Sequence, residues 1–283
     1  MTDRVELVEM APRDGLQNEQ AMVPTKDKIT LVNLLSQAGF KRIEVTSFVS
    51  PKWVPQLADA ADVMDGITRK ERVSYGVLTP NIRGLERALA VDPDWVAVFA
   101  SASEGFSRAN LNCSIAESLD RFRPVVEGAL AQGIPVRGYV SCVTDCPYDG
   151  KVAPQAVADV TRTLFDMGCF EVGLGDTIGA ATPESVNAML DAVLDAAKPE
   201  TLGGHFHDTG GRALDNIEAC IHRGLRVFDA AVGGLGGCPY APGAKGNVAT
   251  EAVLERLTAL GFETGLDTEA VSAAVQFARG LRT

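Results

Sequence analysis

The stretch VELVEMAPRDGLQNE, residues 5–19, bears on the choice between two common α/β folds. Its first half is a short run rich in apolar and β-branched residues, which is typical of a buried strand in a parallel sheet. Its second half lacks the G-x-G-x-x-G turn that follows the first strand of an open, doubly wound dinucleotide-binding sheet. This absence weakens the doubly wound alternative and favours a closed barrel.

Seven further runs of the same kind follow along the chain, and each predicts a strand. They are RIEVTSF (42–48), RVSYGVL (72–78), WVAVFAS (95–101), PVRGYVSCV (135–143), FEVGLGDT (170–177), LGGHFHD (202–208) and VFDAAVGGL (227–235). Together with the first run they make eight, the number that closes a (β/α)₈ barrel when helices alternate with the strands.

Longer segments with apolar residues at the i, i+3, i+4 spacing lie between these runs and predict helices. They are KDKITLVNLLSQAG (26–39), NIRGLERALA (81–90), SIAESLDRFRPVVEGALAQG (114–133), PQAVADVTRTLFDMG (154–168), PESVNAMLDAVLDAAK (183–198) and ALDNIEACIHRG (213–224). Ser114 with Glu117 predicts a capping box, and we expect four glycines to end helices, namely Gly39, Gly133, Gly168 and Gly224.

These elements predict a single α/β domain over residues 1–283, a (β/α)₈ TIM barrel. One more helix, TEAVSAAVQFARG (268–280), is expected to pack on its outside. No linker, charge block or low-complexity stretch indicates a second domain. In barrels of this type the functional groups lie in the loops at the C-terminal ends of the strands, so polar residues at those ends are the first candidates for a site.

The composition excludes several classes of partner. A net charge of −11 argues against nucleic acid, which calls for a basic face. No run approaches the roughly 18 apolar residues of a membrane span. The opening residues, MTDRVELVEM, lack the basic and apolar regions of a signal peptide. Six scattered cysteines indicate a reducing compartment, so we expect a cytoplasmic protein.

Polar side chains occur in or near the ends of several predicted strands. They are Arg13 and Asp14 after the first, Glu44 in the second, Asp176 in the sixth, His205 and His207 in the seventh, and Asn247 closing the glycine-rich segment after the eighth. Residues two apart on a strand point to the same face, so both histidines should face the mouth of the barrel together.

Two imidazoles with a carboxylate from another strand make a divalent-metal site, for which Asp14 is the natural carboxylate. Such mixed ligands suit Mg²⁺, Mn²⁺ or Zn²⁺ better than a soft metal. The alternative for His205 and His207 is a hydrogen-bonded pair at the rim, and for Arg13 and Asp14 a surface turn. Glu44 could bind the metal, orient Arg13, transfer a proton, or serve as a buried structural partner of a basic side chain.

Several segments together resemble the 3-hydroxy-3-methylglutaryl-CoA lyases, members of the barrel superfamily that includes isopropylmalate and homocitrate synthases. They are PRDGLQNE, IEVTSFVSPKWVPQ, LNCSIAES, VRGYVSC, CPYDGK, LGDTIG, HFHDT and GLGGCPYAPGAKGN. They occur in the family's order and extend the resemblance from about residue 5 to about residue 265. The loop around Trp53 and the Cys-Pro-Tyr loop narrow the resemblance to the lyase branch.

The resemblance implies a role for each matching position. Asp14, His205, His207 and Asn247 would hold Mg²⁺ or Mn²⁺. Arg13 would bind the substrate and stabilise the enolate of acetyl-CoA, and Glu44 would support the site. Cys238 would transfer a proton, and His205 is an alternative acceptor for the hydroxyl proton. Three further residues are candidate contacts of the acyl-CoA substrate, namely Asn110, Ser114 and Asp176.

The activity implied is the cleavage of 3-hydroxy-3-methylglutaryl-CoA to acetyl-CoA and acetoacetate in leucine degradation, by a homodimer. Two departures stand out. Gly210-Gly211 follow HDT, where the family has a bulkier first residue, and the chain lacks the cysteine-bearing tail of animal members. We therefore expect no intersubunit thiol regulation, and without a transit peptide we expect a bacterial cytosolic enzyme.

Three other functions are alternatives to this one. A sibling lyase for another 3-hydroxy-3-alkylglutaryl-CoA draws its support from Gly210-Gly211 alone. A condensing synthase is disfavoured because the chain has no additional C-terminal domain. A non-catalytic barrel that acts as a binding or scaffold protein predicts the loss of at least one site residue, and every position required is present.

Overall fold

Eight parallel strands form a closed barrel in the computed structural model, which describes residues 3–238 and 241–282 without the side chains of residues 237, 238 and 241–245. The strands are β1 (Glu6–Glu9), β2 (Arg42–Ser47), β3 (Ser74–Leu78), β4 (Trp95–Ser101), β5 (Val136–Ser141), β6 (Glu171–Asp176), β7 (Leu202–Phe206) and β8 (Val227–Ala230). Because β1 pairs with both β2 and β8, the sheet closes on itself. The predicted (β/α)₈ barrel is confirmed, and the doubly wound alternative is excluded.

Ten α-helices occur within the described residues, mostly on the outside of the barrel. They are α1 (Thr25–Gln37), α2 (Ala60–Gly66), α3 (Ile82–Leu89), α4 (Glu104–Leu111), α5 (Ile115–Ala131), α6 (Pro154–Met167), α7 (Pro183–Val193), α8 (Ala213–His222), α9 (Thr250–Ala259) and α10 (Thr268–Gly280). The predicted segments correspond to seven of these, including the C-terminal α10. The prediction missed α2, α4 and α9, which have 7, 8 and 10 residues.

The predicted helix boundaries also hold. Ser114 accepts the backbone N–H of Glu117 and the Glu117 side chain accepts that of Ser114, so the capping box at the start of α5 is confirmed. Gly168 ends α6 with a φ of 108°, a left-handed conformation that residues with a Cβ adopt at a cost. The other three glycines, Gly39, Gly133 and Gly224, likewise have positive φ values of 93°, 75° and 96°. None of the described helices is both long enough and apolar enough to span a membrane.

The inside of the barrel holds large side chains that depend on neighbouring glycines. Trp95 and Tyr139 are buried there with Val8 and Met10. A Cβ atom added to Gly76 would lie 2.0 Å from the Trp95 ring. Similarly, a Cβ atom at Gly203 would lie 2.7 Å from Nη2 of Arg137, a fully buried arginine. The glycines thus make room for an indole and for a guanidinium group where a barrel interior is usually filled by aliphatic side chains.

Gly76→Ala should therefore lower the thermal unfolding midpoint. The added methyl group forces the buried Trp95 ring to move, and overpacking of this kind costs about 1–3 kcal/mol or more. The matched control is Gly280→Ala at the exposed end of α10, where an added Cβ meets no atom within 4 Å. We expect the control to leave the midpoint unchanged or to raise it slightly. Equal midpoints for the two variants would contradict this account of the barrel interior.

Candidate metal centre and active site

Asp14 is brought to the mouth of the barrel by a single π-helical turn, Ala11–Gly15, directly after β1. The N–H groups of Asp14 and Gly15 both donate to the Met10 carbonyl, at 2.9 and 3.0 Å. Wide turns of this kind are rare and recur at functional sites. The side chain of Asp14 consequently projects towards the end of β7.

His205 and His207 meet Asp14 from β7, with ring centroids 5.5 Å apart. His205 Nε2 lies 3.7 Å and His207 Nε2 lies 3.9 Å from Oδ2 of Asp14. One ligand atom from each of the three residues lies within 4.8 Å of the others, which is a spacing that a single metal ion can bridge. The structure thus brings together the three residues that the sequence placed at two different strand ends.

Asn247 joins this cluster from the segment after β8. Its side-chain amide donates to Oδ2 of Asp14 at 2.8 Å and to the Leu235 carbonyl at 3.3 Å. Its backbone forms an isolated bridge with His207, so its position is tied to that of the second imidazole. An amide side chain offers an oxygen at its other end, and rotation by half a turn would direct that oxygen at the cluster.

Arg13 and Glu44 form a buried pair beside the three candidate ligands. Arg13 Nη1 donates to Oδ1 of Asp14 at 2.6 Å, and its Nε donates to Oε1 of Glu44. Glu44 is fully buried, and its other oxygen accepts the Tyr139 hydroxyl at 2.7 Å. Of the roles left open for Glu44 by the sequence, orienting Arg13 is the one that these contacts match.

Three residues that the sequence did not single out complete a closed ring of contacts around this pair, namely Tyr139, Arg137 and Asp229. Arg137 Nη1 donates to the Tyr139 hydroxyl at 2.7 Å and pairs with Oδ1 of Asp229 at 2.8 Å. Asp229 Oδ2 lies 3.0 Å from Nδ1 of His205, which returns the chain of contacts to the candidate ligands. One feature of the sequence could have pointed to Arg137 and Tyr139. They lie two residues apart in the predicted strand VRGYVS, so both side chains point to the same face of the sheet.

The charges of this network, which is buried except for the half-buried Glu6, Asp14 and Arg42, do not balance. Its members are the cations Arg13, Arg42 and Arg137 and the anions Glu6, Asp14, Glu44, Glu171 and Asp229. Three positive charges against five negative charges leave an excess of two negative charges when both histidines are neutral. Glu6, Arg42 and Glu171 begin their strands at the opposite end of the barrel, so one of the two excess charges belongs to the mouth. Since buried charge is stable only when it is compensated, a divalent cation between Asp14 and the imidazoles would compensate that charge.

The pKa values of Asp14 and His207 also favour the binding of a metal cation. Burial alone would raise the pKa of Asp14, but the charge of Arg13, helped by both histidines, holds that pKa well below its usual range. Burial and the neighbouring His205 lower the pKa of His207 to about 4, so this ring is neutral at physiological pH. The buried Nδ1 of His207 has no hydrogen-bond partner among the described residues. An anionic carboxylate, two imidazoles that bind in their neutral form and an amide form a donor set that fits Mg²⁺, Mn²⁺ or Zn²⁺.

A cavity of about 790 Å³ opens beside the centre. Arg13, Asp14 and both histidines lie in its wall, and Asn110 lines it as well. Its apolar lining includes Val49, Leu78, Phe99, Phe106 and Leu111, and its further polar lining includes Asn81, Asn112 and Arg121. An elongated ligand with both apolar and polar parts therefore has matching surface next to the candidate ligands.

The remaining predicted site residues lie elsewhere or outside the described side chains. Ser114 is engaged in the capping box of α5 and is not among the described residues that line the cavity. Asp176 accepts the N–H groups of Ala180 and Ala181, both at 3.1 Å, and it too is absent from that lining. Burial raises the pKa of Asp176 to about 6. The side chain of Cys238 lies outside the described residues.

In this (β/α)₈ barrel, a carboxylate and two imidazoles meet at the strand ends beside a fixed arginine. This arrangement is typical of one class of barrel, the barrels that use a divalent metal to polarise a substrate oxygen. Sequence comparison narrows the class. The chain belongs to the HMGL-like family, which matches residues 4–277.

Two curated relatives and one solved structure illustrate this membership. The chain is 52% identical to "3-hydroxy-3-methylglutaryl-CoA lyase, cytoplasmic" of Mus musculus, covering 98% of this chain and 81% of the relative. It is 54% identical to the "3-hydroxy-3-isohexenylglutaryl-CoA/hydroxy-methylglutaryl-CoA lyase" of Pseudomonas aeruginosa, covering 96% and 91%. The crystal structure of the HMG-CoA lyase from Brucella melitensis superposes with a TM-score of 0.98 at 63% identity, covering 99% of both chains.

The contact between Asp229 and His205 predicts how metal affinity depends on pH. Burial lowers the pKa of His205, but the hydrogen bond and charge of Asp229, with the charge of Asp14, raise it above its ordinary value of 6.5. A protonated imidazole cannot bind a metal, so Mn²⁺ affinity should start to fall above pH 6.5 as the pH is lowered. In Asp229→Asn this fall should move to lower pH, and affinity at pH 8 should drop about 10- to 100-fold because the ring loses its orienting carboxylate.

Mn²⁺ titrations followed by electron paramagnetic resonance would measure both effects without substrate. Asp191→Asn is the matched control, because this exposed carboxylate pairs with Arg223 at 2.7 Å on the outside of the barrel. We expect the control to bind Mn²⁺ as the unmodified protein does. An Asp229→Asn protein with unchanged affinity and an unchanged pH profile would show that this contact does not orient His205.

Proposed function

We propose that the chain is a divalent-metal-dependent carbon–carbon lyase that cleaves 3-hydroxy-3-methylglutaryl-CoA to acetyl-CoA and acetoacetate. The observation that carries the proposal is the convergence of Asp14, His205 and His207 beside Arg13. The 52% identity to a lyase of that name supports the choice of substrate.

The reaction transfers a proton and breaks one carbon–carbon bond. The C3 hydroxyl loses its proton, and its oxygen becomes the ketone of acetoacetate as the bond between C2 and C3 breaks. The bonding electrons pass to C2 and form the enolate of the acetyl-CoA thioester, which a proton then converts to a methyl group. A bound divalent cation supplies polarisation of the C3 hydroxyl and lowers its pKa.

Arg13 is proposed to stabilise the enolate. The negative charge of the leaving group develops on the thioester oxygen, and a cation that is already in place stabilises it without reorganisation. The contacts of Arg13 with Glu44 and Asp14 hold the guanidinium group in one orientation, and the residue lines the cavity. Glu44 accordingly acts through Arg13, and Asp14 acts both on Arg13 and as a proposed metal ligand.

Cys238 is the proposed proton-transfer group. A metal-bound water, Cys238 or His205 could accept the hydroxyl proton, and His205 could do so only while its Nε2 does not bind the metal. His205 is held by Asp229 at Nδ1, which leaves Nε2 directed at Asp14 and the cavity. A cysteine thiol has an ordinary pKa of about 8.5 and can give or take a proton near neutral pH. The role of Cys238 rests on the resemblance of its loop, GLGGCPYAPGAKGN, to that of the lyases.

The acyl-CoA substrate is proposed to occupy the cavity beside the centre. Both curated relatives are named for CoA thioesters. Asn110 lines this cavity and is the proposed polar contact of the acyl-CoA. The proposals for Ser114 and Asp176 as direct substrate contacts have weaker support, because their polar atoms are engaged in the local backbone contacts described above.

Five finer properties belong to the same proposal. Mg²⁺ or Mn²⁺ is the proposed metal, as the donor set and the resemblance favour. The cytoplasm is the proposed location, supported by the cytoplasmic form among the relatives. A homodimer, a role in leucine degradation and one catalytic domain over residues 1–283 are predictions from the resemblance and from the continuous pattern of elements.

A second candidate is a sibling lyase for a larger 3-hydroxy-3-alkylglutaryl-CoA, which the double name of the Pseudomonas aeruginosa relative favours. The departure at Gly210-Gly211 does not add to it. Neither glycine lines the cavity, and a Cβ atom at Gly210 would lie 2.7 Å from the Gly179 carbonyl oxygen. Comparing kcat/KM for the methyl and the isohexenyl substrates would separate the two candidates.

Acetoacetate release from 3-hydroxy-3-methylglutaryl-CoA tests the proposal directly. We expect turnover with Mg²⁺ or Mn²⁺ and its loss on chelation. Arg13→Met should lower kcat about 10²- to 10³-fold, because the cation that meets the enolate is removed. The control is Arg83→Met, an exposed arginine on α3, which should retain full kcat. Failure to release acetoacetate with either metal would overturn the proposal, whereas exclusive turnover of the isohexenyl substrate would favour the sibling.

Cys238→Ala tests the thiol separately from the metal centre. If Cys238 transfers a proton, the variant should bind Mn²⁺ as tightly as the unmodified protein and yet lose about 10²- to 10⁴-fold in kcat. Cys220→Ala is the control, since this buried thiol lies on α8. Full activity of Cys238→Ala would remove the thiol from the mechanism and leave the metal centre unaffected.

A further inference from the structure

Glu9 is a buried carboxyl group that the mechanism above does not use. It ends β1, and the residues on either side of it, Val8 and Met10, belong to the cluster inside the barrel. Glu9 therefore points to the opposite face, towards the surrounding helices, where it is fully buried. No ion pair involves Glu9 among the described residues. Burial raises its pKa to about 8, so the group is largely a neutral acid at pH 7.

Glu9 joins three separate backbone segments. Its Oε1 accepts the N–H of Ala11 at 2.9 Å and the N–H of Val232 at 3.1 Å. Its Oε2 lies 2.8 Å from the hydroxyl oxygen of Thr250. Ala11 begins the turn that presents Asp14, Val232 follows β8, and Thr250 begins α9. A single side chain thus satisfies groups that would otherwise be buried without partners.

These segments carry Asp14 and Asn247. Val232 and Thr250 flank the stretch that ends at Asn247, and the Thr250 N–H donates to Ala231 at 3.1 Å. The turn and this stretch also pack directly on each other, since a Cβ atom at Gly15 would lie 2.8 Å from Cβ of Leu235. The relative position of Asn247 and Asp14 therefore depends on two segments that Glu9 joins on the helix-facing side of the barrel.

We propose that Glu9 is a positioning residue that holds the turn bearing Asp14 against the segment bearing Asn247 and thereby sets the affinity of the centre for a divalent cation. The inference rests on the metal centre of the proposed function and does not depend on which acyl-CoA is cleaved. Glu9 does not touch the centre itself. It acts through the backbone positions of residues 11, 232 and 250.

A matched pair of variants isolates the acceptor atoms of Glu9 from its size. Gln has the same length, its oxygen can accept both N–H groups and its amide can donate to Thr250. Met has a similar length and volume but offers no comparable acceptor. We expect Glu9→Gln to bind Mn²⁺ within about threefold of the unmodified protein. Glu9→Met should bind Mn²⁺ about 10- to 100-fold more weakly, as changes to groups that orient metal ligands commonly do.

Thr250 provides a second pair that leaves Glu9 in place, in case Glu9→Met does not fold. Thr250→Ser keeps the hydroxyl partner of Oε2, whereas Thr250→Val keeps the shape and removes it. Mn²⁺ affinity should be retained by the first variant and fall several-fold in the second. Circular dichroism and the unfolding midpoint without metal identify the folded variants. A role in stability alone would lower the midpoint and leave the Mn²⁺ dissociation constant unchanged.

The outcomes separate this inference from the proposed function. Equal Mn²⁺ affinity of folded Glu9→Met and Glu9→Gln would overturn the role of Glu9. If Glu9→Met does not fold, equal affinity of Thr250→Val and Thr250→Ser would overturn it instead. Tight Mn²⁺ binding by the unmodified protein without release of acetoacetate would overturn the proposed lyase activity and leave the role of Glu9 to be judged on these titrations. Failure of the unmodified protein to bind either Mn²⁺ or Mg²⁺ would overturn both.

Discussion

Arg137 carries a full charge inside the barrel with none of its side chain exposed, and much of the site depends on how that charge is compensated. An isolated guanidinium group in such a place would cost far more than the few kcal/mol by which a protein is stable. Glu171 and Asp229 supply the counter-charges, at 2.7 and 2.8 Å, and the Tyr139 hydroxyl accepts a further hydrogen bond. Glycines on neighbouring strands leave the space that this group occupies.

Hydrogen bonds made by the partners of Arg137 connect this residue to the side chains at the mouth of the barrel. Tyr139 also binds Glu44, which orients Arg13, and Asp229 also binds His205. Each group is therefore fixed by two neighbours, and such doubly held side chains are pre-organised for catalysis. The surplus of carboxylates in the network is the complementary feature, because part of it lies at the mouth of the barrel, where a divalent cation could compensate it.

The alternation of short β-branched runs with amphipathic segments was sufficient to predict the closed barrel, since local periodicity reports which face of an element is buried. The same reasoning missed α2, α4 and α9, although it predicted α3 and α8, which are as short as α4 and α9. It also passed over Tyr139 and Asp229, which look like ordinary strand residues. Their importance arises from partners 95 and 24 residues away, to which a local pattern is insensitive.

The sequence by itself determined the number of strands, the helix ends at glycine, the shared face of His205 and His207, and the motifs that mark the family. Only the tertiary structure decided which polar residues at strand ends meet. Asp14 and Asn247 lie 233 positions apart and are in contact, whereas Asp176 is engaged by the backbone of its own loop. The physical reason is that strand and helix periods are local properties of the chain. Ligand geometry and charge compensation depend instead on closure of the barrel, which brings distant strand ends together.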